Sequence, residues 1–255
     1  MLETEDILND ALTFFGGEQV KETIINYGPL ILTMAPKEGK ANTLLADHLF
    51  SPSIFLAERI ERGLLPYAGK KVIELGAGCA LPSLLMSVLP NPPALVTITD
   101  YPDPGILGNL KNNISRNSFS FSPGVQVECI GYDWGTDPTP LLSLVDRTGY
   151  DIVVLSDLLH FDTSHHVLVD SIQKLLARSP DAVAYIAAGK YTLPPVCEQF
   201  VQIAKGAGFQ ISEVEASHAD EGWLGNIEVP SFTIDELAIR KSNCRFWILR
   251  WEKLQ

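Results

Sequence analysis

No apolar run in this chain reaches the length that a membrane-spanning helix needs. The amino-terminal "MLETEDILND" is acidic where a secretory leader would carry a basic stretch before an apolar one. A soluble, cytoplasmic protein is therefore the expectation. Cysteine is scarce: Cys79, Cys129, Cys197 and Cys244 lie far apart and form no CxxC pair, which argues against both a zinc knuckle and a disulfide framework. Basic residues are outnumbered, with 19 Lys and Arg against 31 Asp and Glu and a formal charge of -12. A general phosphate-binding field is absent, so nucleic acid is not an expected partner, and neither is a membrane. An acidic surface suits a lysine-bearing partner, but acidity is also an ordinary solubility device, and that plainer reading takes precedence. Internal repeats and low-complexity tracts are lacking as well, so no linker-separated second domain is expected.

What the chain has is enough apolar material, 46% of 255 residues, to bury a sizeable core. From residue 71 onward, short apolar runs alternate with stretches of helical periodicity, the pattern of a parallel sheet covered on both faces. The runs are "KVIEL" (71–75), "ALVTIT" (94–99), "VQVECI" (125–130), "DIVVLS" (151–156), "AVAYIAA" (182–188), "FQISEVEA" (209–216) and "CRFWILRW" (244–251). The expected fold is α/β: a Rossmann-like seven-stranded, mostly parallel sheet with helices on both faces and the last strand antiparallel. Residues 1–66 read as an extension packed on a core domain of residues 67–255. Within the extension, residues 4–15 predict an amphipathic helix with Thr4 as its cap. "ETIINYGPLILTM" predicts strands broken at Gly28-Pro29, and "PSIFLAERIERGLL" a helix with Pro52 in its first turn.

The turn after the first strand, "ELGAGCALPS", carries Gly76, Ala77 and Gly78, where glycine permits a tight turn and close approach of a ligand to the backbone. A dinucleotide fingerprint would place a third glycine at position 81, which is Leu81 here, followed by Pro82. Glu74 at the mouth of the strand would repel a pyrophosphate and hold an ammonium group. S-adenosylmethionine meets that requirement. Asp100, closing the second strand, can accept the ribose hydroxyls, and Tyr101 can contact the adenine. In "GYDWG", Asp133 offers a carboxylate to an exocyclic amine and Trp134 a flat apolar face. "SDLLHF" (156–161) follows the fourth strand, at the edge where open α/β folds bind ligands. Each feature also has a plainer reading: turn glycines, Asp100 or Asp157 as helix caps, Trp134 as a core aromatic. Their occurrence at four successive strand ends favours one shared ligand.

The segments "VIELGAGCALPSLL", "TDYPDPGILGNLKNNISRN", "GYDWG" and "DIVVLSDLLHFDTSHHVLVDSIQKLL", spanning roughly residues 45–215, resemble the class I, seven-β-strand S-adenosylmethionine-dependent methyltransferases. Within that class they resemble methyltransferase family 16, the lysine methyltransferase-like group. The similar fungal branch is described both as nicotinamide N-methyltransferase-like and as elongation factor 1-alpha N-terminal and lysine methyltransferase. The resemblance implies that Glu74, Gly76 and Gly78 line the methionine end of the cofactor, Asp100 holds the ribose, and Asp133 with Trp134 flanks the adenine. Ser156 and Asp157 would face the reacting methyl, with S-adenosylhomocysteine as product. Two departures stand out. Phe50 occupies the segment where the family usually has a cofactor-touching tryptophan. The family's D-x-x-Y/F segment reads Asp157-Leu-Leu-His160 here, with Phe161 one place later.

Methyl transfer to nitrogen needs a neutral amine. Asp157, with aromatic walls from Phe161 and Tyr191, is expected to orient it, and His160 to take its proton. The cluster His160, Asp162, His165 and His166 invites a metal, but adjacent histidines point different ways on a helix, and Thr163 or Ser164 is a natural N-cap there; no metal is expected. The asparagines of "NLKNNISRN" are expected on the polar side of a helix. A monomeric enzyme acting on a protein lysine or N-terminal amine is the leading expectation. A small-molecule amine methyltransferase, its pocket enclosed by residues 217–241, is the alternative, and a catalytically idle interaction module the third.

Overall fold

The computed structural model describes residues 24–215 and 218–253; the helix expected over residues 4–15 lies outside them. Seven strands form one sheet: β3 (Lys71–Leu75), β4 (Leu95–Asp100), β5 (Gln126–Gly131), β6 (Ile152–Ser156), β7 (Val183–Gly189), β8 (Phe209–Glu213) and β9 (Cys244–Trp251). Their spatial order is β5-β4-β3-β6-β7-β9-β8. The run from β5 through β7 is parallel, and β9 lies antiparallel to both β7 and β8, which makes it the reversed strand one place in from the edge. Each expected strand is present within a residue or two, except that β8 ends at Glu213 instead of running to 216.

Strand alternation sorts side chains into two apolar layers. Val72, Val96, Ile98, Ile152, Val154 and Tyr185 face one layer, closed by α2 (Ser51–Glu61), α3 (Leu81–Val88) and the hairpin β1 (Ile24–Tyr27) to β2 (Leu30–Thr33). Ile73, Leu75, Val153, Leu155, Ala184 and Ile186 face the other. That second layer is closed by α5 (Thr139–Ser143), α6 (His165–Leu175) and α7 (Pro194–Gly206). The hairpin turns at Gly28-Pro29 as expected, and its inward residues Ile25, Tyr27, Leu30 and Leu32 are fully buried. The core therefore runs across position 66.

The hairpin is attached by an unusual set of side chains. In α4 (Pro104–Asn117), Asn109, Asn113 and Asn117 recur every fourth residue and are buried, not on the polar side where the sequence suggested. Asn113 accepts from the Thr33 amide at 2.9 Å and donates to the Thr33 carbonyl at 2.8 Å. Asn117 does the same with Ile31, at 2.9 Å in both directions. Side-chain amides thus pair with alternate residues of β2 as a neighbouring strand would, satisfying an edge that would otherwise be buried unpaired.

Helix ends follow local chemistry. Asp103 caps α4, accepting from Gly105 N at 2.8 Å and Ile106 N at 3.2 Å. A Thr233–Glu236 capping box opens α8 (Ile234–Ser242). Ser164 holds the N-cap position of α6 but makes no side-chain capping bond, and Asp162 instead accepts from the Thr163 amide. The segment from 218 to 241, which the small-molecule alternative would have enclosing the acceptor, packs against α2. Lys241 reaches Glu58 at 2.8 Å and Asp220 at 3.3 Å, Arg62 reaches both acids, and Glu58 and Glu61 accept from the amides of Leu224 and Ile227. These carboxylates and cations are largely buried, so the pairing must be nearly complete to be tolerated.

Candidate active site

At the carboxyl ends of β3, β4, β5 and β6 lies a cavity of about 270 Å³, open to solvent on one side. Of the residues singled out from the sequence, Phe50, Gly76, Ala77, Gly78, Asp100, Tyr101, Asp133, Trp134, Ser156, Asp157, His160 and Phe161 all line it. Glu74 does not. As an even-numbered residue of β3 it shares the face of Val72, beneath the turn, where it is fully buried. Its Oε2 accepts from the Ser83 amide of α3 at 3.2 Å, and its Oε1 has no partner. Burial pushes this carboxyl up to about 8, with the Ser83 hydrogen bonds pulling the other way.

The turn above Glu74 is shaped by glycine. Gly76 and Gly78 both adopt left-handed backbone, φ +59 and +57. At Gly76 a Cβ would also lie 2.6 Å from Leu158 and 3.2 Å from Trp134. Asp100 sits across this turn with its carboxylate held by two amides, Gly78 N at 2.8 Å and Tyr101 N at 2.7 Å. Burial raises its pKa and those two amides lower it. Asp100 is therefore neither the cap of α4 nor free to rotate. After β5, Gly135 N donates to Ser171 on α6 at 2.8 Å, and Tyr132 donates to the same hydroxyl at 3.1 Å. That anchor sets Trp134 at the cavity wall with Asp133 exposed beside it.

Beyond β6 the chain turns sharply at Asp157, whose φ of +65 is left-handed and whose amide donates to Ala187 O at 2.8 Å. Its Oδ1 accepts from Gly189 N at 3.1 Å and its Oδ2 from the Tyr191 hydroxyl. Tyr191, expected as a wall, is not a lining residue; it stands behind the carboxyl. An arc of rings encloses the space in front. Trp134 meets Phe161 at 5.8 Å, Phe161 meets His160 at 4.0 Å, and Phe50 meets His160 at 6.4 Å and His48 at 5.7 Å between centroids. Both ring nitrogens of His160 are buried without a hydrogen-bond partner, and burial lowers its pKa against the pull of Asp157, which favours the neutral ring. His165 turns away, bonding the Leu159 carbonyl at 2.8 Å.

The sequence reading missed Leu44, Leu45, Ala46, His48, Ser53, Cys79, Tyr132, Leu158 and Ser164 as lining residues. Cys79, Tyr132 and Leu158 neighbour motif positions and were within reach of that reasoning. Leu44–Ala46 belong to a strap closed by the Ala35 N to Ala46 O bond at 3.2 Å, and Ser53 meets Ser156 hydroxyl to hydroxyl at 2.8 Å in the cavity wall. Both depend on tertiary closure.

The glycine-shaped turn, the clamped Asp100 and the aromatic arc stand at the strand ends where the resemblance to the seven-strand S-adenosylmethionine-dependent methyltransferases implies the cofactor, and likeness to known proteins carries that class. The family model described as lysine methyltransferase matches residues 40–192. A Gibberella zeae protein named protein N-terminal and lysine N-methyltransferase EFM7 is 30% identical over 213 residues, covering 77% of this chain and 79% of that one. The Schizosaccharomyces pombe protein of the same name is 31% identical over 196 residues, covering 72% and 74%. The chain belongs to this lysine methyltransferase family. The fold is shared with a chain from the solved complex of the Haloferax volcanii Trm112 methyltransferase activator and a methyltransferase, with a TM-score of 0.50 at 13% identity over 80% of this chain and 91% of that one.

Proposed function

We propose that this enzyme methylates amino nitrogens of a protein, a lysine side chain or an N-terminal α-amine, within the cytoplasm and as a monomer. One observation carries the reading: Asp157 and an unpartnered, neutral-leaning His160 face the glycine turn across a cavity walled by rings. The names of the fungal relatives, protein N-terminal and lysine N-methyltransferase, support the acceptor class. An elongation factor 1-alpha-like protein is the target that the sequence resemblance implies. The small-molecule alternative called for residues 217–241 to close over the acceptor; among the described residues, none of them lines the cavity.

The residues present fit the cofactor. The amide-clamped carboxylate of Asp100 at the cavity wall, the Cβ-free cradle at Gly76 and the apolar face of Trp134 suit a ligand with ribose hydroxyls, a close-lying backbone contact and a flat base. Gly76, Ala77 and Gly78 would hold the methionine end, Asp100 the ribose, Asp133 and Trp134 the adenine, with Phe50 and Tyr101 as apolar contacts and Ser156 near the reacting methyl. When bound, S-adenosylmethionine supplies a methyl group on a sulfonium that a neutral amine displaces in line. The Asp157 carboxylate accepts from the amine N–H and fixes its direction. His160 takes the proton that an ammonium must lose, and Phe50 with Phe161 excludes water, so positioning and desolvation provide most of the acceleration.

The test incubates methyl-labelled S-adenosylmethionine with the purified protein and a eukaryotic lysate separated by size, with Asp157→Ala as control. Label in a protein band, absent with the variant, is the expected result. Label confined to small molecules transfers the acceptor to that class, and cofactor binding without any label overturns the reading.

A further inference from the structure

At the end of β7, the stretch Gly189-Lys190-Tyr191 makes contacts that the cofactor and acceptor do not require. Asp157 has both carboxyl oxygens occupied from behind, Oδ1 by the Gly189 amide at 3.1 Å and Oδ2 by the Tyr191 hydroxyl. Gly189 does not have left-handed backbone, so its conformation does not call for glycine. Its identity is explained by space: a Cβ at 189 would overlap the Tyr191 ring. That ring packs against Phe50, 6.3 Å between centroids, while remaining outside the cavity. Lys190 fastens the stretch from the other side, its amide donating to Asn243 O at 2.8 Å and its ammonium to Ser242 O at 2.6 Å.

We propose that Tyr191 is a positioning residue for methyl transfer: with the Gly189 amide it clamps Asp157 from behind, leaving the outward lone pairs of the carboxylate aimed at the acceptor amine. The inference rests on the reading that the amine enters beside Asp157. A carboxylate held by two donors cannot rotate, and an amine that meets it has one direction of approach. The two donors also favour the charged form of Asp157 against the burial that raises its pKa. The other titratable and charged groups facing the pair are His160 on the same loop, Cys197 on α7, Arg240 on α8 and Cys244 at the head of β9.

Tyr191→Phe in the full-length, cofactor-loaded enzyme removes the hydroxyl and keeps the ring. Label transfer into the lysate protein that the wild type labels should fall by roughly tenfold, since the lost bond is to a charged group. Cofactor affinity and melting temperature should stay near wild type. The acid limb of the pH–rate profile should move to higher pH, because a carboxylate that loses a donor keeps its proton longer. 3-Fluorotyrosine at 191, a stronger donor of nearly the same shape, should move that limb to lower pH. Carboxyl-carbon NMR of Asp157 without acceptor should show the same two displacements, and it reads the clamp whatever the acceptor is. An unmoved acid limb and an unmoved carboxyl titration, with Asp157→Ala inactive, overturn the positioning role alone. Full activity in Asp157→Ala overturns the underlying reading of the site instead.

Discussion

Replacing Glu74 by glutamine isolates the consequence of burying a carboxyl beneath the ligand turn. In the unfolded chain this group ionises near its ordinary value of 4.5, whereas burial in the fold holds the proton to about 8. Between those values the folded protein carries a proton that the unfolded chain has lost, so stability falls as pH rises, by about 1.4 kcal/mol per unit. Over the window the loss is on the order of 5 kcal/mol, an upper bound because local water entry softens burial. Glutamine has nearly the same shape, can still accept from the Ser83 amide and does not titrate. Urea unfolding of both cofactor-free proteins from pH 5 to 9 should show Glu74→Gln gaining on the wild type, slightly at pH 5 and by several kcal/mol at pH 8. Asp100 and Asp157, also raised by burial, contribute to both curves, so the difference belongs to Glu74. A difference that does not change with pH would refute the reasoning.

Asn113→Ala should destabilise by roughly 2–4 kcal/mol in urea, because it strands the Thr33 amide and the Cys79 carbonyl, which Asn113 reaches at 3.2 Å, while the Thr33 carbonyl keeps its bond from Asn109 at 2.7 Å. Cys79 belongs to the ligand turn, so cofactor affinity measured by calorimetry should fall in the same variant. Trp134→Ala should weaken cofactor binding by about tenfold in equilibrium dialysis, with an unchanged far-ultraviolet spectrum, since Trp134 is anchored through its neighbours and not through its own ring. Wild-type affinity in that variant would remove the adenine from the Trp134 face.

Sequence reasoning reached the sheet because the central parallel strands β3, β4, β6 and β7, buried on both faces, are short, almost wholly apolar runs, and edge strand β5 alternates apolar with polar residues. It reached the cavity because strand ends are identifiable and the polar residues there stand out against those runs. Glu74 was misplaced by reading position along β3 without parity: counting alternation from Val72 and Ile73 puts its side chain on the Val72 face, under α3. The asparagines of α4 were misread because helical spacing marks a face without saying what covers it. Only the location of β2 turns a polar stripe into a strand surrogate. The place of the 218–241 segment was not legible for want of local signals, because its partners on and just after α2 lie more than 150 residues away along the chain.

The charge arrangement of the site has a logic that neither the net charge nor any single motif conveys. The acids at the ends of β3, β4 and β6, Glu74, Asp100 and Asp157, are all buried and all raised in pKa by that burial. Each is held by backbone amides, from Ser83, from Gly78 and Tyr101, and from Gly189. Among the described residues, no lysine or arginine lines the cavity. Oriented amides, joined at Asp157 by the Tyr191 hydroxyl, thus supply the donors, and the remaining capacity of Asp100 and Asp157 faces ligands instead of side-chain cations. Such a site repels phosphate and favours whatever brings positive charge into it. Sulfonium, α-ammonium and an acceptor amine arriving with its proton all have that property, while a pyrophosphate-bearing dinucleotide does not. Asp100 and Asp157, which line the cavity, are therefore what make it selective for the two cationic reactants of an N-methyl transfer, whereas Glu74, beneath the turn and protonated up to about 8, acts on the stability of the fold.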